Sequence, residues 1–126
     1  MILLDTSVLV DSLTGPKRSG LTLRAVIGSG ERCLLPSLVL YEWLRGPRVP
    51  GEIAIQEALF PSAEAIPFGP AEAAISAKLY RSFRRPRGRA FDLGIAACAL
   101  NRGVPLWTLN SADFQDIPGL ELYEPG

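Results

Sequence analysis

Three features of the 126-residue chain predict an α/β fold with a central, mainly parallel sheet. Short, predominantly apolar runs stand at Ile2–Leu4, Cys33–Leu35 and Leu106–Leu109; each is followed by short polar residues or a Pro-Ser step; and stretches of helical length separate them. Strands covered on both faces read as continuous apolar runs, and parallel neighbours need helical crossovers. The chain is long enough to bury a core without staples, and 48% hydrophobic residues against 21% charged, with no low-complexity tract, describe a folding sequence. Neither a linker nor an internal repeat interrupts it, so residues 1–126 are expected to form a single domain.

The elements follow in order. Ile2–Leu4 is a buried strand, and Asp5-Thr6-Ser7 supplies short polar side chains suited to starting a helix from Val8 to about Leu13, which Gly15-Pro16 ends. A second helical stretch runs from Leu21 to Ile27 before Gly28-Ser29-Gly30. Cys33–Leu35 is the next strand, after which Pro36-Ser37 opens an apolar helix stopped by Gly46-Pro47. Glu52–Leu59 is a shorter helix. Ala65–Phe68 is a strand that Pro67 confines to an edge or an end. The Ala-rich stretch from Pro70 to about Arg84 is helical, Arg85–Arg89 is a basic loop, and Phe91–Asn101 is an apolar helix closed by Arg102-Gly103. Leu106–Leu109 is a strand, Asn110–Asp113 a polar turn, and Leu120–Tyr123 a final short strand.

Composition then narrows the chemistry. There is no histidine, which removes serine and cysteine triads, paired-histidine chemistry and His-bearing zinc sites. Cys33 and Cys98 sit in apolar surroundings without metal or redox spacing, as reduced core residues do. Neither a signal peptide nor a membrane span fits the apolar stretches, and a cytoplasmic protein is expected. Thirteen basic and thirteen acidic residues cancel, but Lys78, Arg81, Arg84, Arg85, Arg87 and Arg89 crowd into one twelve-residue stretch without an acid. That stretch is either a phosphate-binding footprint or a solvated helix face running into a loop.

Four acids stand out by isolation. Asp5 follows the first strand and Asp113 the Leu106–Leu109 strand, so both reach the carboxyl rim of a parallel sheet. Glu42 is the only acid between Glu31 and Glu52, and Asp92 the only one between Glu72 and Asp113; both lie in strongly apolar segments, where an unpaired carboxylate is costly to bury. Ordinary uses exist for each: a helix cap for Asp5 or Asp92, a turn for Asp113, a wet helix corner for Glu42. If they converge, two carboxylates about 4 Å apart repel by roughly 4 kcal/mol at an effective dielectric near 20, so they must hold protons or a cation. Oxygen ligands without histidine or thiolate suit Mg²⁺ or Mn²⁺, and such an ion beside a basic segment suits phosphodiester hydrolysis.

Leu3-Leu4-Asp5-Thr6-Ser7-Val8-Leu9, Glu42-Trp43-Leu44-Arg45-Gly46, Phe91-Asp92-Leu93-Gly94-Ile95-Ala96-Ala97 and Thr108-Leu109-Asn110-Ser111-Ala112-Asp113-Phe114 resemble the motifs of PIN-domain ribonucleases, especially the VapC-type toxins. The four stand in the family's order along essentially the whole chain. The resemblance implies a PIN-like three-layer α/β/α sandwich and a Mg²⁺-dependent endoribonuclease, with Mn²⁺ able to substitute. Its catalytic and metal-holding acids would be Asp5, Glu42, Asp92 and Asp113, supported by Thr6, Ser7 and Asn110. It also implies an RNA substrate, a homodimer and a cognate antitoxin that holds the enzyme inactive. Arg81, Arg84, Arg85, Arg87 and Arg89 are the expected RNA-binding residues.

Other classes fit less well. A phosphoacceptor receiver needs a late lysine, whereas the only lysines are Lys17 and Lys78; a haloacid-dehalogenase-like phosphatase needs an aspartate where Ser7 stands. Gly28-Ser29-Gly30 lacks the third glycine of a dinucleotide loop. A non-catalytic RNA-binding or scaffold protein on the same fold would be expected to have a broken acidic set, and here the set is complete.

Overall fold

The first strand in the chain is the middle strand of the sheet. In the computed structural model, which describes residues 1–126, β1 (Ile2–Leu4) pairs in parallel with β2 (Cys33–Leu34) on one side and β3 (Leu106–Trp107) on the other. Ile2, Leu3 and Leu4 point alternately to the two faces, yet all three are buried, so both faces of the sheet are covered. Between β1 and β2 lie α1 (Thr6–Leu13) and α2 (Gly20–Gly28). Between β2 and β3 lie α3 (Ser37–Arg45), α4 (Pro50–Leu59), α5 (Pro70–Ser82) and α6 (Ala90–Arg102), with a 3₁₀ turn at Ser62–Glu64 and another after β3 at Ser111–Asp113.

The two outer strands expected at 65–68 and 120–123 shrink to single parallel bridges, Pro36 with Ile66 and Leu106 with Leu122. At the first, the Ile66 N–H donates to the Leu35 carbonyl and its own carbonyl accepts from Ser37, but Pro67 has no N–H with which to continue the ladder. The second amounts to two hydrogen bonds on Leu106, from its N–H to the Glu121 carbonyl and from the Tyr123 N–H to its carbonyl. The Ala-rich helix also ends earlier than its composition suggests, at Ser82 rather than Arg84. Phe83 turns to extended backbone and packs against the core, while Arg85, preceding Pro86, disfavours the helical conformation.

α6 is the buried axis of the helical layer: Leu93 to Ala99 are buried without a break. It closes as expected, with Gly103 in the left-handed region at φ +65° and the N–H groups of Gly103 and Val104 bonded back to Leu100 and Ala99. Where α3 crosses it, a side chain at Gly94 would meet Leu38 Cδ1 at 2.6 Å and Phe68 at 3.3 Å, so the missing Cβ is what lets the two helices approach. Trp43 and Val39 of α3 are wholly buried in the same core. Cys33 and Cys98 are buried free thiols, and no helix is long and apolar enough to cross a membrane.

Candidate active site

With β1 flanked on both sides, the strand order reverses at its carboxyl end, the place where parallel sheets leave a crevice. Asp5 stands there, 4% exposed. Its backbone starts α1, its carbonyl accepting from Val8 and Leu9, but its side chain makes no capping bond. Instead Oδ2 accepts two hydroxyls, Ser7 Oγ and Thr108 Oγ1, each at 2.8 Å. Each hydroxyl has one proton and has given it to Asp5. Each then accepts a main-chain N–H from the segment leaving β3: Leu109 to Ser7 Oγ at 3.0 Å, and Asn110 to Thr108 Oγ1 at 2.9 Å.

Thr6 serves a second acid. Its hydroxyl donates to Glu42 Oε1 at 2.7 Å, carrying a link from α1 to α3, while Arg45 lies 3.5 Å from Glu42 Oε2 one turn along. Arg45 is itself stacked over Tyr41 of α3 and Phe91 of α6, whose rings are nearly parallel with centroids 5.7 Å apart. This exposed cluster bridges the two helices beside Glu42 and Asp92.

Asp92 does not cap its helix either; Arg89 occupies the cap position, and Asp92 lies in the first turn, where a carboxylate suits the helix dipole. Its carboxyl is nonetheless pushed up to about 6, first by burial and then by Asp5, Asp113 and Glu42, with Arg89 pulling the other way. The other three isolated acids therefore all lie near enough to act on Asp92. Asp5, Thr6, Ser7, Glu42, Asp92 and Asn110 line one open cleft of about 520 Å³. Asp113 lies outside that lining, on the exposed 3₁₀ turn after β3.

The basic residues divide. Arg81, Arg84, Arg85 and Arg87 are exposed on the end of α5 and the following loop. Arg89 is turned inward: it forms a two-pronged pair with Asp116 at 2.7 and 2.9 Å, donates to the Asp113 carbonyl at 3.0 Å and lies over Phe83.

Two residues of the site, one lining the cleft and one behind Asp5, escape a reading of the sequence by isolated acids. Asp11, one turn of α1 beyond Ser7, also faces the cleft and accepts from Ser19 at 2.6 Å. Thr108 sits at the same carboxyl rim as Asp113, and the rule that pointed to the acids there applies to hydroxyls too. As for a metal, the donors are all oxygen, the set that hard cations prefer. No three acids close on a common point, so an ion held here would be bound by part of the carboxylate set and complete its shell with water, the usual habit of Mg²⁺.

Comparison with known proteins shows the family and the fold. Residues 2–120 match the family model described as PIN domain. Ribonuclease VapC19 of Mycobacterium tuberculosis is 32% identical over 123 residues, 96% of this chain and 98% of that protein. Among solved structures, DNA-bound VapBC from Salmonella typhimurium superposes with a TM-score of 0.82 at 22% identity, over 97% of this chain and 96% of that one. A toxin–antitoxin complex from Klebsiella pneumoniae gives 0.74 at 24% identity, over 100% and 98%.

Proposed function

The chain belongs to the PIN domain family, and from that premise we propose that residues 1–126 act as one catalytic domain, an Mg²⁺-dependent endoribonuclease that is the toxin of a toxin–antitoxin pair. The observation that carries the reading is that Asp5, Glu42 and Asp92 line one cleft, with Asp113 near enough to act on Asp92, in a site without histidine or thiolate. A non-catalytic member of the fold would have no reason to hold Asp92 against three neighbouring carboxylates.

The ion would be held by part of the set formed by Asp5, Glu42 and Asp92 in the cleft and Asp113 at its edge, with water completing its shell. When bound, Mg²⁺ supplies charge neutralisation of the acids and Lewis-acid activation of water and of a phosphoryl oxygen; Mn²⁺ supplies the same. Ser7 and Thr108 fix Asp5 through Oδ2 and leave Oδ1 without a protein hydrogen bond, available to a ligand. Thr6 fixes Glu42 from the other side, and Asn110 contributes its main-chain N–H to the same arrangement. Arg81, Arg84, Arg85 and Arg87 hold the flanking RNA backbone. The partners of this reading are RNA as substrate, a cognate antitoxin and a second copy of the chain as homodimer.

The test is cleavage of total RNA by the purified chain with Mg²⁺, with Mn²⁺ and with a chelator, beside Asp5→Asn. Discrete fragments that need the metal and vanish in the variant are expected. Absence of cleavage by folded, inhibitor-free protein overturns the enzyme in favour of a binding role.

A further inference from the structure

We infer that Arg89 is a positioning residue for the acid site: it braces the turn that carries Asp113 against the start of the helix that carries Asp92. The inference rests on the metal-site reading above and adds to it a residue outside the acids. Arg89 is the cap residue of α6, three positions before Asp92, and its guanidinium reaches the 3₁₀ turn after β3. There it makes two bonds to Asp116, at 2.7 and 2.9 Å, and one to the Asp113 carbonyl, at 3.0 Å. Its other face lies over Phe83, 4.5 Å from the ring centroid, which holds the planar group from behind. The side chain of Arg89 is 22% exposed although it sits in the most basic stretch of the chain. A guanidinium with a fixed fork, a carboxylate partner and a stacking surface is committed to one orientation.

The turn needs such a brace. Ser111, Ala112 and Asp113 are all exposed, and a three-residue 3₁₀ segment has few bonds of its own. Phe114 and Ile117 anchor the following residues in the core, so the turn stays attached without Arg89, but the position of Asp113 is then set by its backbone alone. Partners of ligands that act in this way typically change metal affinity by about 10–100-fold.

Charge and geometry make opposite predictions, which renders the inference testable. Arg89 is a cation facing Asp92 and Asp113, so if it acted only through charge, removing it would strengthen cation binding. As a brace, its removal weakens binding. The experiment is Mn²⁺ titration of the full chain by calorimetry, with amide hydrogen exchange of residues 113–115 in the metal-free protein. Arg89→Met and Asp116→Asn are each expected to weaken Mn²⁺ about tenfold and to speed exchange in the turn, with the double variant no worse than either single one. Stronger or unchanged Mn²⁺ binding in Arg89→Met overturns the brace, as does faster exchange without any loss of affinity, which would make the contact structural only. A wild-type chain that binds no Mn²⁺ overturns the metal site itself and the brace with it, an outcome read before any variant is compared.

Discussion

Ser7 and Thr108, 101 residues apart in the chain, donate to the same oxygen of Asp5. The first comes from the start of α1 and the second from the exit of β3, so one carboxylate oxygen joins the two strand ends that form the crevice. Replacing either hydroxyl, as Ser7→Ala or Thr108→Val, removes one of the two bonds that fix Asp5 Oδ2. Each is expected to lower RNA cleavage by about 10–100-fold, whereas Asp5→Asn abolishes it, with circular dichroism unchanged in all three. Full activity in both hydroxyl variants would remove the orienting role of the pair.

Asp92 gives a prediction with a definite sign. Its carboxyl is held at about 6, against 3.8 for the free group, chiefly by burial and then by Asp5, Asp113 and Glu42. Between those values the folded state binds more protons than the unfolded one, so this group's contribution to stability falls as pH rises through that interval. The shift corresponds to at most about 3 kcal/mol, and about 1–2 kcal/mol remains once solvent screening of a half-buried carboxyl is allowed for. Asp92→Asn should therefore be more stable than wild type at pH 7 in the presence of a chelator, with the gain fading towards pH 4. Denaturant melts at the two pH values measure it.

A divalent cation should offset the same repulsion. Mg²⁺ at one hundred times its Kd is expected to stabilise the wild-type fold by about 2.7 kcal/mol, raising Tm, and a chelator should reverse the rise. Asp5→Asn should lose the response. An identical Tm with and without Mg²⁺ across a wide concentration range would argue against a bound ion.

Much of this site was legible because isolation in sequence reports an energetic anomaly. Asp92 precedes seven consecutive buried residues of α6, and Glu42 flanks the fully buried Trp43, so each acid needed a reason to be there. Asp5 and Asp113 followed from the rule that parallel sheets open at their carboxyl ends. The links between distant segments were not legible. Nothing in the spacing of Arg89 and Asp116, 27 residues apart, marks them as a pair, and Arg89 read instead as one more member of a basic run. The outer strands at 65–68 and 120–123 had the right composition, but ladder length is set by which N–H groups face a neighbour, and each is reduced to one bridge.

Arg81, Arg84, Arg85 and Arg87 are exposed, and we propose them as the contacts to the RNA backbone. If Arg85 and Arg87 each neutralise one phosphate of a single-stranded segment, Arg85→Ala with Arg87→Ala should flatten the slope of log Kd against log salt by about 1.4. Filter binding with Asp5→Asn protein, which leaves the RNA intact, supplies the measurement. An unaltered slope would return this loop to solvent.

At their crossing α3 carries Glu42 and α6 carries Asp92. Gly94→Val inserts atoms where a single Cβ would already lie 2.6 Å from Leu38, and overpacking of this kind costs about 1–3 kcal/mol. A lower Tm is expected, and slower cleavage follows where α3 yields together with the Leu38 side chain. Loss of stability with full activity would show that α3 adjusts without moving the acid.

The central place of β1 also sets a timetable. During synthesis Asp5 emerges about a hundred residues ahead of Thr108 and Asp113, and until β3 arrives β1 has only one of its two neighbours. A growing chain thus carries its acids on segments that have not yet met. The distance in sequence between β1 and β3 means that the acid site is among the last parts of the fold to assemble.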